Sequence, residues 1–162
     1  MSVNKRGNVW LGVSGLVINE AFEWLVVKKS YGGLKGMWSL PAGFVAPRET
    51  ADAAAVREVF EETGINCAIQ GLIGLRTGVI SDEISDNMLV FSLKPKEDQI
   101  IKVQESEILE ARFIDPDELL AEKSASVLLH HLANLKDAAV KAPINGINPG
   151  DHFNYTAYKL FL

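Results

Sequence analysis

An α+β or α/β/α domain is the architecture that this sequence predicts, and the order of its patterned segments carries that prediction. β-rich runs come first, one strongly helical segment follows, and further strands and then helices complete the chain. Val9 to Ile18 and Trp24 to Lys28 read as strands around the polar turn Asn19-Glu20-Ala21. Ser30 to Gly36, with three glycines, reads as a loop, and Met37 to Pro41 as a short extended piece. Thr50 to Thr63 is alanine-rich, has Thr50 in an N-cap position and stops at Gly64, the pattern of a helix. Ile65 to Leu75, Met88 to Leu93 and Leu109 to Ile114 are strand-like, while the acidic segment Thr77 to Asn87 reads as a mobile loop. Asp115-Pro116 opens a short helix near Asp117 to Ala121. Ser124 to Val140 reads as a long helix with Val127, Leu128, His131, Leu132 and Leu135 on one face. The aromatic tail Phe153 to Leu162 is expected to pack back as a strand.

Size and composition bound the answer. The chain has 162 residues, 48% hydrophobic and 23% charged, which suits one soluble domain with a full core. The expected domain covers 1–162, with 143–162 a C-terminal extension packing on it. No apolar stretch approaches the roughly 20 residues needed to span a bilayer, and no membrane partner is expected. One cysteine, Cys67, allows no intrachain disulfide, which fits a reducing, cytoplasmic setting. A net charge of −5 argues against a general nucleic-acid partner, because phosphate neutralisation needs clustered Lys and Arg. A phosphate-bearing small molecule stays admissible if metal ions supply positive charge locally.

The chemistry concentrates between Gly43 and Ile65. Glu58, Glu61 and Glu62 lie at i, i+3 and i+4, so a helix puts their carboxylates on one face. Ala53, Val56, Phe60 and, at the margin, Val59 form the opposite face, expected to pack on a sheet. Three neighbouring carboxylates repel one another and need compensation, commonly a hard divalent cation with oxygen ligands. Arg57 and Glu49 have the spacing for an ion pair that ties loop to helix. A solvated acidic face is the rival reading.

The full spacing weighs against that rival. Gly43, five residues, Glu49, seven residues, then Arg57-Glu58-Val59-Phe60-Glu61-Glu62-Thr63-Gly64-Ile65 matches the signature of the Nudix hydrolases, which this chain resembles. Seven fixed identities and two apolar positions coincide by chance on the order of once in a billion trials. Trp38-Ser39-Leu40-Pro41-Ala42 resembles the family's tryptophan–proline approach to the box. The likeness extends more loosely to about Leu120. It implies a Nudix fold, a mixed β-sheet sandwiched between helices, and an enzyme that cuts a phosphoanhydride in a nucleoside diphosphate derivative.

By that resemblance, Glu58, Glu61, Glu62 and the Gly43 carbonyl are the metal ligands for Mg²⁺, with Mn²⁺ as a substitute. Glu58 is the first choice of base, and Glu105 or Glu107 are the candidates outside the box, Glu107 being retained as catalytic. Glu49 and Arg57 support the loop and helix. Arg76 is a candidate phosphate contact with a surface ion pair as its rival, and Lys28 and Lys29 share that ambiguity. Phe44 is divided between core and substrate platform, whereas Trp38 reads as core. His130 and His131 lack zinc-site spacing, and His152 has no partner in the sequence. Ala42, where many members carry glycine, resembles sugar-nucleotide-cleaving members. With the looser likeness to ADP-ribose- and NADH-cleaving members, it favours a substrate of that kind over a nucleoside triphosphate. A catalytically silent nucleotide sensor is the reading from another class. The tail aromatics leave a homodimer contact and the monomer core as alternatives.

Overall fold

The computed structural model describes residues 7–135, 139–151 and 155–161. Its strands are β1 (Val9–Val17), β2 (Trp24–Lys29), β3 (Trp38–Ser39), β4 (Ala42–Phe44), β5 (Cys67–Ile80), β6 (Ile84–Pro95), β7 (Ile108–Ile114), β8 (Pro143–Ile144) and β9 (Leu160–Phe161). Its helices are α1 (Ala51–Thr63), α2 (Pro116–Ala121) and α3 (Val127–Asn134). One sheet has the order β4-β1-β6-β5 and a second β3-β2-β7. The first is mixed, since β1 runs parallel to β6 while β4 and β5 are antiparallel to their neighbours.

Two apolar clusters hold these layers together. Ala54, Ala55 and Val59 of α1 pack with Val13, Val17, Phe91 and Leu93 on one face of the mixed sheet. On the other side, Leu119, Leu129 and Leu132 close over Leu16, Val26, Trp38, Leu40 and Val90. Helices therefore cover both sides of the strands, and the expected α+β class, a mixed sheet between helices, is what forms.

Helix α1 docks by a face turned from the expected one, keeping Val59 and part of Val56 but not Ala53 or Phe60. Ala53 is exposed and Phe60 is 48% exposed, while Ala54, Ala55, Val59, Glu62 and Thr63 are buried. The reason is closeness of approach. A Cβ added at Gly15 of β1 would stand 2.6 Å from Val59 Cγ2, so the glycine lets Val59 close onto that strand. Of the expected face, Val59 is buried and Val56 packs against the core, while Ala53 and Phe60 point outward.

Two further expectations are corrected. Thr77 to Asn87 is no loop: β5 and β6 continue pairing as far as Ile80 and Ile84. Ser81 and Asp82 adopt φ values of 53° and 56°, and Glu83 N–H donates to the Ile80 carbonyl at 3.0 Å, the two-residue turn that suits strand twist. The long helix expected over Ser124 to Val140 is eight residues long. Trp38 exchanges backbone hydrogen bonds with Ser124 and Ser126, each 2.8 Å, which holds 124–126 extended. Ser126 then caps the helix by accepting from Leu129 N–H at 3.3 Å. The helix buries Leu129 and Leu132, whereas Val127 and Leu135 are exposed. Among the described tail residues the strand is only Leu160–Phe161, and His152 lies outside the described residues.

Candidate active site

Register places the site. Antiparallel pairing of β1 with β4 sets Gly43 opposite Val13, on the side of the sheet that α1 covers. Glu58 arrives there from α1, and a Cβ at Gly43 would land on its carboxylate. Glycine at 43 is thus a requirement of space, with the strand and helix meeting at that contact.

Arg57 organises the loop. Its Nη2 donates to Glu49 Oε1 at 2.7 Å and to the Phe44 carbonyl at 3.0 Å. Its Nε donates to Glu49 Oε2 at 3.0 Å, completing a two-point pair with that carboxylate. The Arg57 hydrogen bonds hold Glu49 below the usual carboxylate range despite partial desolvation, and Ala46 N–H adds a further bond at 2.7 Å. Arg57 Nη1 reaches Glu58 at 2.8 Å and Glu61 at 3.0 Å. One guanidinium therefore ties the 43–49 loop to two of the three clustered carboxylates.

Glu62 turns inward and is 1% exposed. Lys29 Nζ lies 2.9 Å from its Oε1 and donates to the Ala42 carbonyl at 3.0 Å. Ala42 N–H donates to Glu62 Oε2 at 3.3 Å. Burial pushes the Glu62 carboxyl up to about 7, opposed by the Lys29 charge and hydrogen bond. The glutamate face is therefore graded, from interior Glu62 through half-buried Glu58 to Glu61 at the surface.

A cleft of about 530 Å³ opens over this face, lined by Gly43, Phe44, Arg57, Glu58, Glu61 and Glu107 among others. Glu105 is not part of its wall. Beside it lies an apolar cavity of about 550 Å³ that includes Tyr31, Leu34, Met37, Ser39, Arg76 and Met88. Lys29, Tyr31 and Ala42 line both. Phe44 is 58% exposed and meets Trp10 edge-on at 5.7 Å, so it is not core. Arg76 pairs with Asp86 at 2.9 Å while facing the cavity. Lys28 stands 3.9 Å from Glu110 and 4.5 Å from the centre of buried Trp38's ring. Cys67 is buried, which pushes its thiol up to about 12. His130 Nε2 bonds the Glu122 carbonyl at 3.0 Å.

Sequence reasoning missed three features here. Lys29 proves to be the partner of Glu62. Ser39 is buried, lines the apolar cavity, and its Oγ has no hydrogen-bond partner among the described residues. Tyr31, read only as part of a loop, stands where cleft and cavity join. The last two depend on chain packing across non-adjacent strands and leave no local signal.

No helix among the described residues is long and apolar enough to cross a membrane. The chain is 32% identical over 128 residues to nucleoside diphosphate-linked moiety X motif 6 of Homo sapiens, covering 77% of this chain and 40% of that protein. It is 38% identical over 94 residues to Nudix hydrolase 8 of Arabidopsis thaliana, covering 56% of this chain and 26% of that one. It thus spans between about a quarter and two fifths of these relatives' lengths. Among solved structures, the MutT protein of Methanosarcina mazei Go1 shares the fold with a TM-score of 0.64 at 23% identity, over 82% of this chain and 94% of that one. The family model for the NUDIX domain matches residues 10–135, the span that holds nearly all of the two larger sheets and α1 with its glutamates, and by that match the chain belongs to the Nudix family.

Proposed function

We propose that this chain is a Mg²⁺-dependent hydrolase that cuts the phosphoanhydride bond of a nucleoside diphosphate derivative, with an ADP-ribose- or NADH-like molecule as the favoured substrate. The observation that carries this reading is the carboxylate-lined cleft opening beside an apolar cavity, the two sharing Lys29, Tyr31 and Ala42. A diphosphate needs charge and hard oxygen ligands, whereas a nucleoside needs an apolar slot with a few polar points. The cavity of about 550 Å³ is within the ordinary range for small-molecule sites, and Arg76 supplies a polar point in it.

The donor set suits a divalent cation. Glu58, Glu61, Glu62 and the Gly43 carbonyl present oxygen only, the chemistry that Mg²⁺ and Mn²⁺ take. The glycine at 43 leaves Glu58 a cradle that a Cβ would fill. No three Asp, Glu, His or Cys side chains among the described residues already converge as a ligand cluster. Arg57 holds Glu58 and Glu61, and Lys29 holds Glu62. These two cations balance the acidic face in the metal-free protein. When bound, the cation supplies charge neutralisation on the phosphoryl oxygens and a more acidic water for in-line attack.

The protein groups divide the remaining work. Glu58 or Glu107, both on the cleft wall, accepts the proton of the attacking water. Glu49 and Arg57 keep the loop at Gly43 against the helix. Phe44 offers an exposed ring beside the scissile diphosphate. Lys29, placed at the junction of cleft and cavity, is positioned to meet a bridging phosphate.

A panel of ADP-ribose, NADH, dinucleoside polyphosphates and nucleoside triphosphates, incubated with Mg²⁺ and with products separated, tests the reading. Release of AMP and the phosphorylated partner from a diphosphate-bridged substrate is expected. Preferential turnover of a triphosphate would replace the substrate class and keep the chemistry. Micromolar binding of a nucleotide with no turnover of any member would support the sensor reading instead.

A further inference from the structure

The segment after α3 returns to the helix that carries the glutamates. At Lys141 it docks on the free side of β5: Leu72 N–H donates to the Lys141 carbonyl at 2.8 Å and Lys141 N–H to the Leu72 carbonyl at 2.9 Å. Gly71 makes the approach feasible, since a Cβ there would strike the Lys141 carbonyl. Pro143 and Ile144 then pair with Phe161 and Leu160. The Phe161 ring meets Phe91 of the α1-facing core with centroids 5.5 Å apart.

Between these anchors Lys159 Nζ reaches Asp52 Oδ2 at 2.6 Å. Asp52 is in the first turn of α1 and is 4% exposed, and its Oδ1 has no partner among the described residues. Thr50 occupies the N-cap position with extended backbone, yet its side chain makes no capping hydrogen bond. The start of α1 therefore lacks the local side-chain bond that usually fixes a helix entry. A charged hydrogen bond from a residue 107 positions away instead ties the first turn to the tail, and a buried carboxylate stripped of its cation is costly.

We infer that Lys159 is a positioning residue for the carboxylate face of α1: its bond to Asp52 straps the start of the helix to the sheet and so sets where Glu58, Glu61 and Glu62 stand against Gly43. Asp52 and Glu58 are six residues apart on a continuous helix, about 9 Å along its axis. A short helix transmits a shift at one end to the other, and displacements of about 1 Å matter at a reacting site. Lys159 touches neither the cleft nor the apolar cavity, so its effect passes through helix placement. The inference rests on the proposed metal-binding role of the α1 glutamates.

The test compares Lys159→Met and Lys159→Arg with the unsubstituted chain, using Mn²⁺ binding to substrate-free protein and amide exchange in the metal-free protein. For Lys159→Met, Mn²⁺ affinity is expected to fall about tenfold, the lower end of what supporting contacts to ligands contribute. Exchange should quicken at Ala53 to Ala55, kcat should fall more than KM rises, and Lys159→Arg should recover each. Asp52→Asn, which keeps the side chain's size, serves as the second variant should Lys159→Met fail to fold, and the same loss of affinity is expected from it. Unchanged Mn²⁺ affinity and unchanged exchange in a folded variant overturn the inference, even if its Tm falls. Glu61→Gln separates the two levels. If it loses Mn²⁺ binding while Lys159→Met keeps it, only the strap fails. If Glu61→Gln binds Mn²⁺ normally, the metal-site reading itself fails.

Discussion

Gly43 is the residue at which strand and helix leave no slack. A methyl group there would occupy the space of the Glu58 carboxylate, so Gly43→Ala should displace that carboxylate and reduce kcat/KM by about 10²-fold. Circular dichroism should stay unchanged, and full activity in the variant would show that Glu58 need not sit there. The glutamates themselves make a sharper case. Glu61→Gln and Glu62→Gln each remove charge and a ligand oxygen while keeping shape. Turnover should drop by orders of magnitude in a folded protein, and metal-dependent activity surviving both would remove them from the proposed ligand set. Glu62 also sets a pH response in the metal-free protein. Its folded pKa of about 7 lies above the ordinary carboxyl value of 4.5, so the folded state retains a proton that the unfolded chain releases. Its contribution to stability is full below about pH 4 and is lost as pH rises through about 7, amounting to about 3 kcal/mol. Denaturant titrations across this window should slope downward for the native chain and flatten for Glu62→Gln. Parallel profiles would show that Glu62 is not the titrating group.

At the scale of elements, the turn before α1 and the face of α1 explain each other. Pro47 and Arg48 lead into Glu49, and Arg48 adopts φ 70°, a conformation that costs a side-chain-bearing residue about 1–2 kcal/mol. Arg48→Gly relieves that strain at some entropic cost to the unfolded chain, so a net gain of up to about 1 kcal/mol in unfolding free energy is expected. A loss of stability would mean that the Arg48 side chain contributes contacts that outweigh the strain. The positive φ lies between two points that Arg57 holds, the Phe44 carbonyl and Glu49. Helix α1 was legible in extent, from the N-cap position of Thr50 to Gly64, whose φ of 73° closes it. Its docking face was only partly legible, because Ala54 and Ala55, which are buried against the sheet, weigh little in any apolar pattern. Helix α3 shows the converse. The helix begins later than the sequence suggests, since pairing of 124–126 with Trp38 competes with helical hydrogen bonds at its start.

Across the whole molecule, three layers bring together groups far apart in sequence: Lys29 with Glu62, Glu107 with Glu58, and Lys159 with Asp52. A ligand that binds only this folded arrangement must stabilise it by mass action. Mg²⁺ at about a hundred times its dissociation constant should raise the unfolding free energy by about 2.7 kcal/mol relative to a chelated sample. Glu61→Gln should lose most of that difference in a thermal melt. Equal melting curves with and without Mg²⁺ for the unsubstituted chain would leave the acidic face balanced by Arg57 and Lys29 alone.

The sequence by itself determined the class of fold, the extent of α1 and the grouping of Glu58, Glu61 and Glu62, because periodicity, capping and the box spacing are local properties of the chain. The i, i+3, i+4 spacing put three carboxylates on one face without any tertiary information. Only the tertiary structure decided that Glu62 is interior and Glu61 exposed, that Phe44 lines the cleft, and that the tail holds the start of α1. Those outcomes depend on which strands pair and on how closely a helix approaches a sheet, and such distances arise from packing between residues separated by tens of positions.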